Sequence, residues 1–475
     1  ELWAFIPKNV LPYLKYLPDQ DYCHLYSVDA SSFLVDASIN GDPNDNKTAS
    51  SWKTILIGGM GLGGASRNVT GTNCIKTPAN DLGYSSYFAI DVTDPNNPVL
   101  LWEFSDAELG MSTSGPAIVR QGDGSKNGNW FVVFASGPTG PINTNYRQFL
   151  GKSDQPLKLF VLDLKTGALQ RKINTGIQNA FGSSLYNATL DTDRGNRFSP
   201  GHYKDDVLYL GYTKCADSPC TAGSTWTKGG VLRLVTKESI NPADWSVSTV
   251  IDNIGPVTAA VTKLQDRKNG QLWLYFGTGR YFYKLGTSFD DPGSESDTTI
   301  RKLYGIQEPC YLASTNDIDQ TCSSSVSDDN NTLQNQSGET PSASIDTGKI
   351  GWYIKLDAPA SGYLQERVIT DPLAVFSGVV FFTTYSPSGD VCEVGGKTYV
   401  WAVDYKSGAN PSSLLGKALV QVSTGEISEV SLASAFKQKG GRRNIGITGV
   451  PPKGQGLSVL IGPRPLQKVL HIQEK

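Results

Sequence analysis

The sequence predicts an all-β protein whose strands close into a β-propeller. Three observations carry this. The first is a hairpin at 87–104, YFAIDVTDPNNPVLLWEF. Residues 87–92 alternate bulky apolar with small or polar side chains, as a half-buried strand does. Asp94-Pro95-Asn96-Asn97-Pro98 is turn chemistry, because proline fixes φ and Asp and Asn side chains bond the backbone two residues on. Residues 99–104 then return as an apolar and aromatic strand, and Gly115-Pro116 opens the next. The second observation is recurrence. LFVLDLKTGAL at 159–169 and VWAVDYKSG at 400–408 repeat the pattern of a strand running into Asp and then Gly, and LYSVD at 25–29 is a shorter relative. The third is composition. Gly is 50 and Pro 26, enough to punctuate many short strands, and Tyr 21, Phe 17 and Trp 9 suit packed sheets. Helical patterns are scarce, with 10–17 and 431–439 as the best short candidates.

The repeated Asp has a conformational role. It accepts backbone N–H groups in the turn, and the following Gly supplies a positive φ. Asp91, Asp163 and Asp404 are therefore read as turn residues rather than catalytic ones. A chain of 475 residues ordinarily suggests about three domains, but a repeating blade overrides that rule. Residues 1–475 are read as one domain, with polar insertions at 65–84 and 309–348.

In chain order, ELWAFIP at 1–7 reads as a strand ended by proline. WKTILIGGMGLGG at 52–64 is a buried strand entering a glycine-rich turn. No Lys-Ser or Lys-Thr follows those glycines and no helix pattern opens after them, so this is not a phosphate loop; the glycines permit close backbone packing near the axis. Residues 130–135, 159–164, 207–212, 229–235, 249–253 and 255–261 continue the strands. QLWLYFGTGRYF at 271–282 is another, and 351–356, 366–370 and 378–384 build a further blade. The stretch 309–348, rich in Ser, Asn, Asp and Thr, is expected to be a partly mobile surface loop. Tail strands at 456–461 and 466–472 are expected to pair with the N-terminal strand and close the ring.

The formal net charge is -3 with 18% charged residues, which gives no electrostatic case for nucleic acid. No apolar run approaches the length of a membrane span. The chain opens directly on a strand-like stretch without a signal peptide, so an upstream region is expected. Seven cysteines form no C-x-x-C pair, and His24 beside Cys23 has no further ligand at zinc spacing. Cys215 and Cys220 bracket a Ser-Pro turn, and Cys310 and Cys322 bracket a polar insertion. Disulfides are favoured for both pairs over buried thiols, which fits an exported protein. The sequon at 68–70 is short enough to arise by chance, and no glycan is assigned to it.

Five segments together resemble the C-terminal domain of the PilY/PilC family of type IV pilus biogenesis and tip proteins. They are ELWAFIP (1–7), WKTILIGGMGLGG (52–64), AIDVTDPNNPVLLWEF (89–104), FGTGRYF (276–282) with KLYGI (302–306), and GWYIKLD…ERVITDPLAVFSGVVFFTTYSP (351–387). They come in the family's order and cover most of the chain. The resemblance implies a modified, quinoprotein-dehydrogenase-like propeller of about seven blades. It implies export to the bacterial envelope, a place at the pilus tip with minor pilins, and adhesion to a host or other surface ligand. By analogy, the tail strands at 457–472 are the expected contact surface.

The resemblance also implies a calcium loop before the strand at 207–212. Asp191 and Asp193 stand at its first two ligand positions and Asp206 at its last. Calcium takes six to eight oxygens, which alternating Asp residues in a tight loop can offer. The spacer 194–204 is longer than the family's and carries Arg194, Arg197 and Lys204, and Tyr212 replaces the acid that closes the strand. Asp191 and Asp193 read equally well as turn residues on a solvated loop. Two other functional classes are compatible with the blade pattern. A quinoprotein-like dehydrogenase would need a central base, metal carboxylates and commonly a vicinal cysteine pair. The chain has no vicinal cysteines, its three histidines (His24, His202, His471) are scattered, and it has no G-x-S-x-G motif. A stand-alone adhesin would use the exposed insertions. A non-enzymatic pilus component is the preferred reading, because fold alone does not imply activity.

Overall fold

In the computed structural model, the described residues are 2–18, 20, 26–64, 69–70, 84–140, 142–143, 148–149, 151–221, 223–280, 284–285, 288–289, 301–375, 377–388, 395–411, 414, 416–422, 424, 426–433, 436–448 and 451–460. Strands dominate them. The first sheet runs Phe33–Ser38, Trp52–Gly59, Ser86–Asp91, Val99–Ser105, each antiparallel to the one before. The second repeats this with Ala117–Gln121, Asn129–Ala135, Lys158–Asp163 and Leu169–Asn174. The third uses Ala180–Gly182, Val207–Lys214, Lys228–Val235 and Ser246–Ile254, with Thr189–Leu190 added to the second of them. The fourth uses Thr262–Asp266, Gln271–Gly277, Lys302–Gln307 and Gly351–Lys355, with Gln334–Asn335 joined in parallel at the edge. The fifth uses Arg367–Val368, Val379–Pro387, Gly396–Asp404 and Arg443–Thr448, with Leu373–Val375 added. A sixth sheet has three strands, Ile427–Ser431, Lys417–Val422 and Pro452–Leu460.

Neighbouring sheets bury their apolar faces against each other, as propeller blades do. Ile57 and Ala89 of the first sheet share a core with Val132 and Phe160 of the second. Val133 and Val161 on the other face of the second meet Leu210 and Leu232 of the third. Tyr209 and Val231 meet Leu274 and Tyr304 of the fourth. Trp273 and Trp352 meet Val380 and Trp401 of the fifth, and Phe381 and Val400 meet Ala418 and Val420 of the sixth. A sheet with two apolar faces cannot bury both alone, so stacking is obligatory. All six sheets, or the loops leading into them, line one cavity: Phe33, Gly115, Ser184, Thr258, Asp371 and Gln421 stand around it. That common cavity marks an axis. The described residues thus show five sheets of four or five strands, two of three and two short two-stranded pairs; a count of about seven blades is still an expectation drawn from the resemblance.

The Asp–Gly hairpins behave as their sequence requires. Asp163 Oδ1 accepts from Thr166 N at 2.7 Å and from Thr166 Oγ1 at 2.7 Å, and Gly167 follows with φ +70°. Asp404 Oδ1 accepts from Lys406 N at 3.0 Å and Ser407 N at 2.9 Å, before Gly408 at φ +69°. Asp91 Oδ1 accepts from Thr93 N at 2.9 Å, and its Oδ2 pairs with Lys53 at 2.8 Å. Both glycines also receive a tryptophan from the preceding sheet. A Cβ on Gly167 would lie 2.4 Å from Cγ of Trp102, and one on Gly408 would lie 2.6 Å from Cδ2 of Trp352. Each indole N–H donates into the same turn, Trp102 to Leu164 O at 2.8 Å and Trp352 to Tyr405 O at 3.3 Å. The repeated turn is therefore also a socket that locks one sheet onto the next.

Several expectations need correction. Residues Leu2–Pro7 form no strand; they are irregular and lead into a 3-10 helix, Lys8–Tyr16, with Pro12 inside it. The candidate helix at 431–439 is not helical in its described residues: Ile427–Ser431 is a strand, and turns follow. Residues 255–261 form no strand but carry Thr258 and Ala259 to the axis. The segment at 309–348 is not a loose loop. Ile318 and Leu333 are buried in the core between the third and fourth sheets, and Val326 N donates to Val250 O at 2.7 Å. Pro452–Leu460 pairs with Lys417–Val422 rather than with the N-terminal stretch, because the hairpin partner of Gly396–Asp404 comes only after an inserted pair of strands. Residues 461–475, Asn68 of the sequon, Cys23, Cys74, Cys392, His24 and His471 lie outside the described residues. Disulfides join Cys215 to Cys220 and Cys310 to Cys322, as the sequence suggested.

Candidate metal centre

The segment 191–206 leaves the third sheet and returns to it. Leu190 pairs with Val207 across the base, and Asp206 N donates to Leu190 O at 2.9 Å. Between them the chain winds through tight turns, closed by Asn196 N to Asp193 O at 2.7 Å and Lys204 N to Gly201 O at 2.7 Å. Gly201 is a close-approach glycine. A Cβ there would stand 2.8 Å from both Asp193 Oδ2 and Glu238 Oε1, so a larger residue would push two carboxylates apart.

The three sequence-predicted ligands divide. Asp191 lies beside Asp193, near Arg120 and the backbone of Tyr203. Its Oδ2 accepts from Tyr203 N at 3.1 Å and lies 3.7 Å from Arg120 Nη2. Asp206 sits instead with Glu238 and Asp317, each offering an oxygen within 4.8 Å of the others. Thr192 ties this second group together. Its N–H donates to Asp206 Oδ2 at 2.6 Å, and its hydroxyl lies 2.8 Å from that oxygen and 2.7 Å from Asp317 Oδ1. Gln320 Nε2 approaches Asp206 Oδ1 at 3.5 Å. Glu238 and Asp317 were not picked out from the sequence. Glu238 follows the strand Lys228–Val235, and Asp317 comes from the distant insertion, so no local spacing marks either.

The electrostatics explain what such a site can do. Burial pushes the Asp191 carboxyl up to about 7, with Asp193 and Asp205 adding repulsion. Burial, with Asp317 and Glu238 opposing its charge, pushes Asp206 up to about 8 against the two bonds from Thr192. Asp205 is likewise raised by burial, although Arg120 N donates to it at 2.6 Å. Carboxylates crowded in low dielectric resist ionisation unless a cation joins them. Nearby cations compensate only in part: Lys204 Nζ is 3.2 Å from Glu238 Oε2. Among the described residues, buried oxygens remain without a hydrogen-bond partner, namely Asp191 Oδ1, Asp193 Oδ1 and Gln320 Oε1. An unpartnered buried acceptor is costly, and an all-oxygen set of this kind suits a hard divalent ion such as calcium. The oxygens of Asp206, Glu238 and Asp317, with Gln320 at the margin, are placed so that a divalent cation can be held among them, with Asp191 and Asp193 on the adjoining side of Gly201.

Elsewhere the titratable groups support the fold. Arg233 and Glu308 form a fully buried pair. Arg443 Nη1 bridges Asp357 at 2.7 Å and Glu366 at 2.9 Å. Tyr212, where an acid was expected, donates to Asp252, which also holds Lys214. His202 packs against Tyr203 with ring centroids 4.3 Å apart. Among the described residues no helix is long and apolar enough to cross a membrane.

No family model matches the chain. Curated relatives do match, and they bear out the resemblance drawn from the sequence. Two proteins of Xylella fastidiosa named type IV pilus biogenesis factor PilY1 homolog are 28% identical over 445 residues and 24% identical over 439 residues. The type IV pilus biogenesis factor PilY1 of Pseudomonas aeruginosa strain UCBPP-PA14 is 25% identical over 481 residues. These alignments cover 89%, 90% and 93% of this chain but only 25%, 28% and 37% of the relatives, so the chain spans roughly a third of their length or less. The crystal structure of the Pseudomonas aeruginosa PilY1 C-terminal domain superposes with a TM-score of 0.58 at 19% identity, covering 98% of this chain and 89% of that one. The two share a fold.

Proposed function

We propose that this chain is the propeller-like C-terminal part of a type IV pilus biogenesis factor. The carrying observation is alignment to proteins of that name along about nine-tenths of its own length. In this reading the domain is non-enzymatic. It works in the bacterial envelope and at the pilus tip, contacts minor pilins, supports the balance of assembly and retraction, and presents a surface for adhesion. The turn roles of Asp91, Asp163 and Asp404 agree with that, since their carboxylates are occupied by their own hairpins.

The proposed metal role follows from the acidic group beneath the third sheet. When bound, calcium would supply positive charge where burial disfavours Asp191 and Asp206 as anions. Asp206, Glu238 and Asp317 would hold it, which ties the 309–348 insertion to the third sheet. Metal occupancy then sets how firmly that insertion and the 191–206 loop are held, and it modulates whatever docks on them.

The assembly role is tested by complementation. A strain lacking the full-length protein is given back either the whole gene or one deleted for this domain, and sheared surface pili and twitching are measured. Restoration only by the whole gene is expected. Equal piliation from the two genes would make the assembly role wrong for this domain. Co-purification with minor pilins is the companion measurement.

A further inference from the structure

We propose that the axial cavity binds a neutral saccharide unit. The cavity has a volume of about 540 Å³, within the range of small-molecule sites. Its wall carries hydroxyls from Ser31, Ser32, Thr113, Ser114, Ser184 and Thr258, interleaved with apolar carbon. Two carboxylates, Asp29 and Asp371, and one carboxamide, Gln421, complete the polar set. Phe33 and Tyr186 supply an aromatic corner, meeting edge to face with centroids 5.6 Å apart. The proposal concerns small-molecule binding at the axis and does not rest on the pilus assignment.

The choice of ligand class follows from this wall. Among the described residues no Lys or Arg lines the cavity, while two carboxylates do, so an anion would meet no counter-charge from them. That argues against a polycarboxylate quinone here. Arg280 lines an adjoining cavity and donates to Gly151 O at 3.2 Å. A purely apolar ligand would strip water from the hydroxyls and return no hydrogen bonds. A sugar ring answers each feature. Its hydroxyls donate to carboxylates and accept from Ser, Thr and Gln, and its C–H face packs on aromatic carbon.

Part of the polar set is already engaged: Ser114 Oγ lies 3.0 Å from Tyr87 Oη, Ser184 Oγ accepts from Tyr186 N at 3.3 Å and Thr258 Oγ1 donates to Gly279 O at 2.9 Å. Among the described residues, no side-chain hydrogen bond occupies Ser31, Ser32, Thr113 or Gln421. Asp371 Oδ1 is fixed by Ala260 N at 2.7 Å, and its other oxygen has no partner among the described residues. A carboxylate anchored on one oxygen presents the second in a set direction. At Gly115, whose φ is +64°, an added Cβ would meet nothing within 4 Å, so the wall there is open.

The test is saturation-transfer NMR on the whole chain. The probes are methyl α-glucopyranoside, methyl β-galactopyranoside and N-acetylglucosamine, with N-acetylneuraminic acid and choline as charged comparators. Transfer to at least one neutral sugar, exceeding that to either comparator, is expected. Tyr186→Ala and Gln421→Ala should each weaken it about tenfold, the loss of one good contact, with melting temperatures unchanged. Gln421 is only partly buried, so its variant folds even if Asp371→Asn does not. No transfer from any neutral sugar, preference for choline or neuraminate, or binding indifferent to both variants would overturn the proposal.

Discussion

Asp206 shows how a single side chain ties pH, metal and stability together. Its carboxyl is pushed to about 8, and that of Asp191 to about 7, from an ordinary value of 3.8. Between about pH 4 and pH 8 the folded chain therefore holds protons that the unfolded chain has released, and stability falls as pH rises through that window. The penalty is absent below the unfolded value and complete above the folded ones. In a chelator, the melting temperature should drop by several degrees from pH 5 to pH 8, and millimolar calcium should restore it at pH 8 while changing little at pH 5. A flat profile without metal would remove the argument. Asp206→Asn keeps an acceptor for Thr192 N and deletes the charge. It should raise the metal-free melting temperature at pH 8 and abolish the calcium shift, both read by calorimetry.

At the scale of elements, the Asp–Gly hairpin and the tryptophan it receives act as one unit. Gly408→Ala adds strain at φ +69° and a clash with Trp352. It should cost about 2 kcal/mol or more in denaturant unfolding. Trp352→Ala empties the same socket and should cost about 3–5 kcal/mol. The Cys310–Cys322 loop is a second such unit, because it carries Asp317 to Asp206 and Glu238. Cys310→Ser with Cys322→Ser should cost about 3 kcal/mol from loop entropy. It should also weaken calcium binding in a titration, which a purely structural bridge remote from the site would not do.

The whole molecule is a chain of shared cores. Each of the first five sheets gives one face to the next, and the sixth lies against the fifth. No sheet can melt without exposing its neighbour's apolar side, so residues 1–475 should unfold in one calorimetric transition. Two well-separated peaks would sink the single-domain reading. Calcium should shift the whole peak rather than split it.

Much of the fold was legible in the sequence, because hairpin formation is local. The strands Ser86–Asp91 and Val99–Ser105, the turn at Asp163 and the turn at Asp404 depend on residues a few positions apart, and period-two patterning reports them directly. The N-terminal stretch misled because an apolar run ending in proline reads as a strand whether or not an edge is free to pair with it. The 309–348 insertion misled because its apolar residues are thinly spread, yet Ile318, Val326 and Leu333 among them are buried in the core between neighbouring sheets. The metal ligands were half visible. Asp191, Asp193 and Asp206 stand in one loop, but burial and Thr192 direct Asp206 toward partners that no spacing rule connects to it.

By itself, then, the order of residues determined the repeating unit, the two loop-closing disulfides and the likeness to pilus biogenesis factors, since each of these is written in short stretches of chain. The tertiary structure alone decided which carboxylates meet, which sheet takes the tail strand, and what faces the axis. Those outcomes depend on closing segments far apart in the chain, whose entropy is repaid only when neighbouring sheets bury their faces together.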